Sequence, residues 1–149
     1  MNIKETIERI EHLMYGHNFE VCLGVDIFNG TTEDDFSKEL KSKYPNTDPY
    51  RSPLNECSKQ EFFEDIQDKF NYRGDRGAGL SLTKTKELEL KNFQRQFFDF
   101  ITQNINEKSK FYTYPDPDGI PGYPVFWEYR FVVFTDQGNI LFVYGSSSD

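Results

Sequence analysis

Histidine is nearly missing: His12 and His17 are the only two in a chain of 149 residues. Hydrolytic machineries that use an imidazole base have few ways to be assembled from them. Their spacing of five does not put them on one helix face as a zinc-binding i, i+4 pair requires. Cysteine is as scarce, with Cys22 and Cys57 lacking C-x-x-C spacing, so no disulfide framework is expected. Cys22 falls in an apolar strand pattern. Cys57 precedes a helix start, a position that lowers a thiol pKa, and is the one cysteine with a route to reactivity. No apolar run approaches the ~20 residues of a membrane span, and no basic start leads into an apolar stretch and cleavage site, so a cytoplasmic protein is expected. Positive charge is also in deficit: 17 Lys and Arg against 25 Asp and Glu leave a net charge of −8. Such a field repels nucleic acid and anionic lipid, which disfavours both as direct partners. Phosphate-loop, nucleophile-elbow, zincin and dinucleotide patterns are all missing. No catalytic residue, cofactor or metal is expected.

What the chain does have is aromatic mass. Aromatics make up 17% of residues within an apolar fraction of only 36%, so Phe and Tyr must supply much of the burial. That composition argues against disorder, and the length suits one core, so residues 1–149 are read as a single domain.

Hydrophobic spacing then orders the elements. Ile3, Ile7, Ile10 and Met14 predict an amphipathic helix over 2–14, ended by Gly16. Phe19, Val21, Leu23, Val25 and Ile27 alternate as a strand to about residue 28, followed by the Asn29-Gly30 turn. Thr32 and Asp35 form a capping box opening a helix that turns Phe36, Leu40 and Tyr44 inward. Residues 45–57, with three prolines, read as an ordered loop. Ser58 and Glu61 form a second capping box, starting a helix to about Tyr72 whose apolar side is Phe62, Phe63, Ile66 and Phe70. Residues 86–106 predict the longest helix, with Leu90, Phe93, Phe97, Phe100, Ile101 and Ile105 as a stripe suited to lie across a sheet. A short edge strand is expected at 111–114. A hairpin of 125–135 and 139–144 turns at Asp136-Gln137-Gly138, and its first strand is apolar on both faces beyond Arg130, as a central strand is. Trp127 and Tyr129 are accordingly expected in the core, and the GSSSD that follows the second strand is too short to be a linker. The fold class is α+β: an antiparallel sheet of three to five strands, closed by the C-terminal hairpin and packed by about four helices.

Three constellations bear on function. YRGDRGAG, residues 72–79, is glycine-rich, and Arg73 and Arg76 flanking its glycines are candidate anion ligands, although the spacing matches no phosphate loop. Asp116-Pro117-Asp118-Gly119 has the DxDG look of a calcium loop but lacks the later carboxylates of the coordination shell, so it reads as a turn. The most distinctive is Glu61, Glu64, Asp65 and Asp68, at i, i+3, i+4 and i+7. On a helix these form one acidic stripe opposite the Phe62 face. Like charges at that spacing destabilise an isolated helix by a few tenths of a kcal/mol each, roughly, so the stripe is either a solvated face or a surface another molecule uses. Glu33, Asp34 and Asp35, with Tyr114, Asp116 and Asp118, are candidates to extend it.

In its acid run Thr31-Thr32-Glu33-Asp34-Asp35-Phe36, its helix SKQEFFEDIQDKF and its aromatic hairpin, the chain resembles the small acidic immunity proteins that bacteria make against toxins of neighbouring cells. The resemblance is one of character, carried by no shared motif. It implies a stoichiometric inhibitor that binds a cognate, basic toxin domain, in many cases a nuclease, through the acidic surface. Two alternatives remain at this point. One is a small enzyme or anion-binding domain using Arg73, Arg76 and a pocket over Trp127 and Tyr129. The other is an accessory protein of unspecified partner.

Overall fold

Each helix begins where a side chain meets the first free backbone N–H groups. Asn2 accepts from the N–H of Glu5 to open α1 (Ile3–Leu13), and Thr32 accepts from that of Asp35 to open α2 (Glu33–Lys43). At α2 the box is reciprocal, because the Asp35 carboxylate accepts from the N–H of Thr32 in return. Ser58 caps α3 (Lys59–Asn71) through the Glu61 N–H, and Thr83 caps α4 (Lys84–Gln103) through that of Lys86. The computed structural model describes residues 2–16, 18–74, 80–124 and 126–148.

Five strands complete the elements: β1 (Glu20–Asn29), β2 (Asn55–Cys57), β3 (Lys110–Thr113), β4 (Trp127–Phe134) and β5 (Asn139–Ser148). They form one antiparallel sheet in the order β1-β5-β4-β3-β2, so the C-terminal strand lies between the first strand and its own hairpin partner. The hairpin turns at Gly138, whose φ of 81° is the left-handed conformation expected there. The α+β class, the antiparallel sheet and the closing hairpin are as the sequence indicates, with four helices and five strands among the described residues.

Strand alternation divides the side chains between two cores. On one face Val21, Leu23, Trp127, Tyr129, Phe131, Val133, Leu141, Val143 and Phe111 meet α1, α3 and α4 in the larger cluster. On the other, Phe28, Val132, Ile140, Phe142 and Tyr144 meet Phe36 and Leu40 of α2 and Tyr114. Both faces of the hairpin are therefore covered, as its two-sided apolar pattern requires. α4 contacts both neighbours in its layer. Arg9 of α1 pairs with Glu89 at 2.7 Å and lies over the Phe93 ring, while Phe97 meets Phe70 of α3 edge-on at 5.1 Å.

Three expectations need correction. The loop over 45–57 contains a 3-10 turn at Pro49–Arg51 and ends in β2. Because β2 pairs outside β3, the strand expected at an edge is internal. And the strand expected to end at residue 144 runs on to Ser148: Ser146 and Ser147 are buried and paired on both sides, to β1 and β4. Proline content and small polar residues concealed both segments, since backbone pairing makes no demand on side-chain hydrophobicity.

Candidate functional site

α3 carries its acidic stripe as the periodicity requires. Phe62, Ile66 and Phe70 are buried against the sheet and α4, each contributing on the order of 1.5–3 kcal/mol of apolar burial. That fixed inner face turns Glu61, Glu64 and Asp68 fully outward, with Asp65 half-buried beside them. Asp65 is neutralised by Lys69 at 2.5 Å, and Glu64 accepts a hydrogen bond from Gln60 at 2.8 Å. Glu61, Glu64 and Asp68 form no ion pair with any described residue. Expected as a capping-box partner, Glu61 provides only its backbone N–H to Ser58.

The stripe extends around the short edge strand β2. Glu56 is exposed within that strand, and the carboxylate of Glu33, at the start of α2, accepts from the Leu54 N–H at 3.1 Å immediately before it. α2 and α3 lie on opposite faces of the sheet, and it is Glu33 that reaches from the start of α2 to the segment leading into β2. Cys57 registers this field. Burial, with the nearby charges of Glu61, Asp65 and Glu56, pushes its thiol up to about 11. The lowered pKa that its place before a helix suggested is thus reversed, and desolvation with surrounding carboxylates is the reason. The Cys22 thiol is raised too, by burial first and then by Glu11 and Glu20.

The remaining candidates divide into surface and scaffold. Asp34 pairs with Lys38 at 3.0 Å on the exposed side of α2. Asp35 is consumed by the cap: its carboxylate accepts from the N–H groups of Thr31 and Thr32, which hold it below the usual carboxylate range. Tyr114, expected at a partner surface, is 1% exposed and packs edge-on against Phe36 and Phe142. It is a core residue, because alternation places it on the face opposite Phe111, where α2 covers it. Asp116 accepts from the Ser52 hydroxyl at 3.2 Å and from the Asp118 N–H at 2.9 Å, so the DxDG segment folds as an Asx turn, with Asp118 exposed.

The Arg73 guanidinium is engaged within the fold. It donates to both carboxylate oxygens of Glu87, at 2.9 and 3.0 Å, and to the carbonyl oxygens of Phe70 and Tyr72 at the end of α3. It serves as a helix C-cap, with its charge already matched. Arg76, and the glycines of residues 75–79 with it, lie outside the described residues, as does His17. His12 is exposed near the end of α1. Among the described residues no group of three or more His, Cys, Asp or Glu is arranged to hold a metal ion, and no helix is long and apolar enough to cross a membrane.

Sequence reasoning missed one polar cluster altogether. Asp26, 7% exposed at an inward position of β1, pairs with Lys43 and accepts from the Tyr44 hydroxyl at 2.6 Å. Tyr44 is in turn 3.1 Å from the Tyr144 hydroxyl. Burial and the bond to Asp26 raise the Tyr44 pKa far out of the titratable range, so it acts as a fixed donor. The available signal was an acid inside an alternating apolar strand, which demands a partner.

No family model matches the chain, and no curated protein matches it. Among solved structures it is similar to citrus MAF1 in two crystal forms. One has a TM-score of 0.60 at 11% identity, covering 97% of each chain. The other has 0.58 at 12% identity, covering 95% of this chain and 99% of that one. At such identity the likeness is one of fold.

Proposed function

We propose that the chain is a cytoplasmic, stoichiometric inhibitor of the immunity type, which neutralises a basic toxin domain through the outer face of α3 and the acidic edge at β2. The observation that carries this reading is the row of Glu61, Glu64 and Asp68, exposed, without a cationic partner among the described residues, and mounted on a helix whose opposite side is locked in the core. A rigid carboxylate row at one-turn spacing suits the arginines and lysines with which a nucleic-acid-cleaving surface holds phosphates. Glu33 and Glu56 broaden the row, while Asp34, Asp65 and Asp116 are partly answered within the fold and contribute less. Tyr114 and Asp35 serve the scaffold.

The anion-binding alternative loses support from Arg73, whose guanidinium already holds Glu87. The test is to read the gene beside this one for a toxin domain and co-express the two; a neighbour that encodes no toxin domain would count against the reading. Protection should be lost, and affinity should fall by at least about 100-fold, when Glu61, Glu64 and Asp68 are all changed to Lys while the fold is retained. Unchanged affinity and protection would remove α3 as the interface.

A further inference from the structure

A cleft of about 350 Å³ opens at the far end of the sheet from β2, straddling the free edge of β1. One wall is the end of α1, with Glu11, His12 and the 63%-exposed Tyr15. The floor is the start of β1, with Glu20 and Cys22. The other wall is Tyr123, 42% exposed, which reaches over from the opposite face of the sheet.

Both tyrosines are held by backbone rather than by packing of their rings. The N–H of Tyr123 donates to the Ser146 hydroxyl at 2.6 Å, an approach possible only because its neighbour Gly122 has no Cβ: one built there would lie 2.1 Å from that oxygen. The Tyr15 N–H donates to the His12 carbonyl at 3.3 Å in the turn that ends α1. The two carboxylates are likewise positioned. Glu11 uses one oxygen to accept from the Leu23 N–H at 2.9 Å, and its other oxygen makes no hydrogen bond with a described residue. Among the described residues, Glu20 receives the long 3.4 Å contact from the Tyr123 hydroxyl.

No lysine or arginine lines this cleft among the described residues. The local potential is correspondingly negative. The charge of Glu20 is the main cause of a raised Tyr123 pKa, and burial raises that of Glu11. Two exposed phenol rings beside two carboxylates that pair with no described cation are the surroundings in which a guanidinium is best held, since it stacks on a ring face and pairs with a carboxylate at the same time.

We infer that this cleft is a receptor for an arginine side chain of a protein partner, with Tyr15 and Tyr123 as stacking surfaces and Glu20 and Glu11 as the charge partners. The inference rests on the inhibitor reading only for the source of the side chain. It places a second contact at the opposite end of the sheet from the β2 edge, so a basic partner engaging both would span the molecule.

The test uses the whole chain and the peptide acetyl-Gly-Arg-Gly-amide, followed by two-dimensional NMR at neutral pH, with the citrulline peptide as the neutral isostere and the lysine peptide as the second cation. Saturable shifts are expected at Tyr15, Glu20, Cys22 and Tyr123 with a Kd of order millimolar. Citrulline should bind about tenfold more weakly or worse, and Glu20→Gln or Tyr123→Ala should weaken the arginine peptide several-fold while leaving the spectrum of the free protein folded. Equal binding of citrulline, no shift at ~20 mM peptide, or shifts confined to α3 would each overturn the assignment. Lysine binding as tightly as arginine would overturn the stacking role. Glu61→Lys/Glu64→Lys/Asp68→Lys should leave the peptide titration unchanged. The failure of the α3 interface and the failure of the cleft therefore give different results.

Discussion

Tyr129 and Tyr44 place the same hydroxyl in opposite circumstances. The Tyr129 ring is buried over the sheet, and its hydroxyl meets no hydrogen-bond partner among the described residues, so desolvation raises its pKa well above the usual tyrosine value. The Tyr44 hydroxyl donates to a buried carboxylate. Removing the first group therefore relieves an unmet polar atom, and removing the second creates one. Tyr129→Phe should leave stability unchanged or raise it by about 1 kcal/mol, whereas Tyr44→Phe should lower it by about 1–3 kcal/mol, both read from urea unfolding. Cys57 makes a further residue-level prediction. With its thiol at about 11 against an ordinary 9.0, its thiolate fraction at neutral pH is about a hundredfold below that of a free cysteine. Its alkylation should be slow at pH 7.5 and climb through pH 10, and Glu61→Gln with Asp65→Asn should speed it. A rate equal to that of a small-molecule thiol at pH 7.5 would refute the raised thiol, and a rate unmoved by the two carboxylate changes would leave burial as its whole cause.

Along the sheet, glycine and tyrosine face each other twice. Gly24 of β1 pairs with Tyr144 of β5, and Gly145 of β5 pairs with Tyr129 of β4; in each case a Cβ on the glycine would come within 2.1 to 2.8 Å of the facing tyrosine. The rings lie across the strands in the space the glycines leave, on opposite faces of the sheet. Gly145→Ala should cost about 1–3 kcal/mol by overpacking, measured by thermal melting, with Tyr129→Leu in the same chain recovering part of it. Elements of this kind mark what sequence could and could not convey. Helices were legible because caps and apolar spacing are local, and so was the hairpin, whose strands are adjacent in the chain. The strand at Asn55–Cys57 was not, because three residues among prolines carry no period and owe their conformation to β3, more than fifty residues away. The acid stripe was legible from its spacing on α3. The cleft at β1 was not, since Tyr15, Glu20 and Tyr123 meet only once β1 stands at the edge and residues 121–124 are tied to Ser146. Tyr114 misled for the converse reason: a tyrosine beside a proline-rich loop looks exposed until the neighbouring element, α2, closes over it.

At the scale of the whole molecule, the same architecture as citrus MAF1 is reached with 11–12% identity, so the layered sheet constrains little of the surface. Within a net charge of −8, Glu61, Glu64 and Asp68 share one exposed face of α3 and pair with no described cation, while arginines such as Arg9, Arg73 and Arg130 are bound into ion pairs. A surface of that kind acts at a distance, and its signature is kinetic: it accelerates encounter with a basic partner and loses that advantage as salt screens it. The most direct test of the proposed inhibitor role is the association rate with a basic toxin domain that the chain protects against in co-expression, followed by stopped-flow fluorescence between about 20 and 500 mM salt. The account predicts a rate that falls by roughly tenfold or more across that range, and a flat, slow profile for Glu61→Lys/Glu64→Lys/Asp68→Lys. A rate indifferent to salt, or one the three changes leave as steep as before, would contradict it.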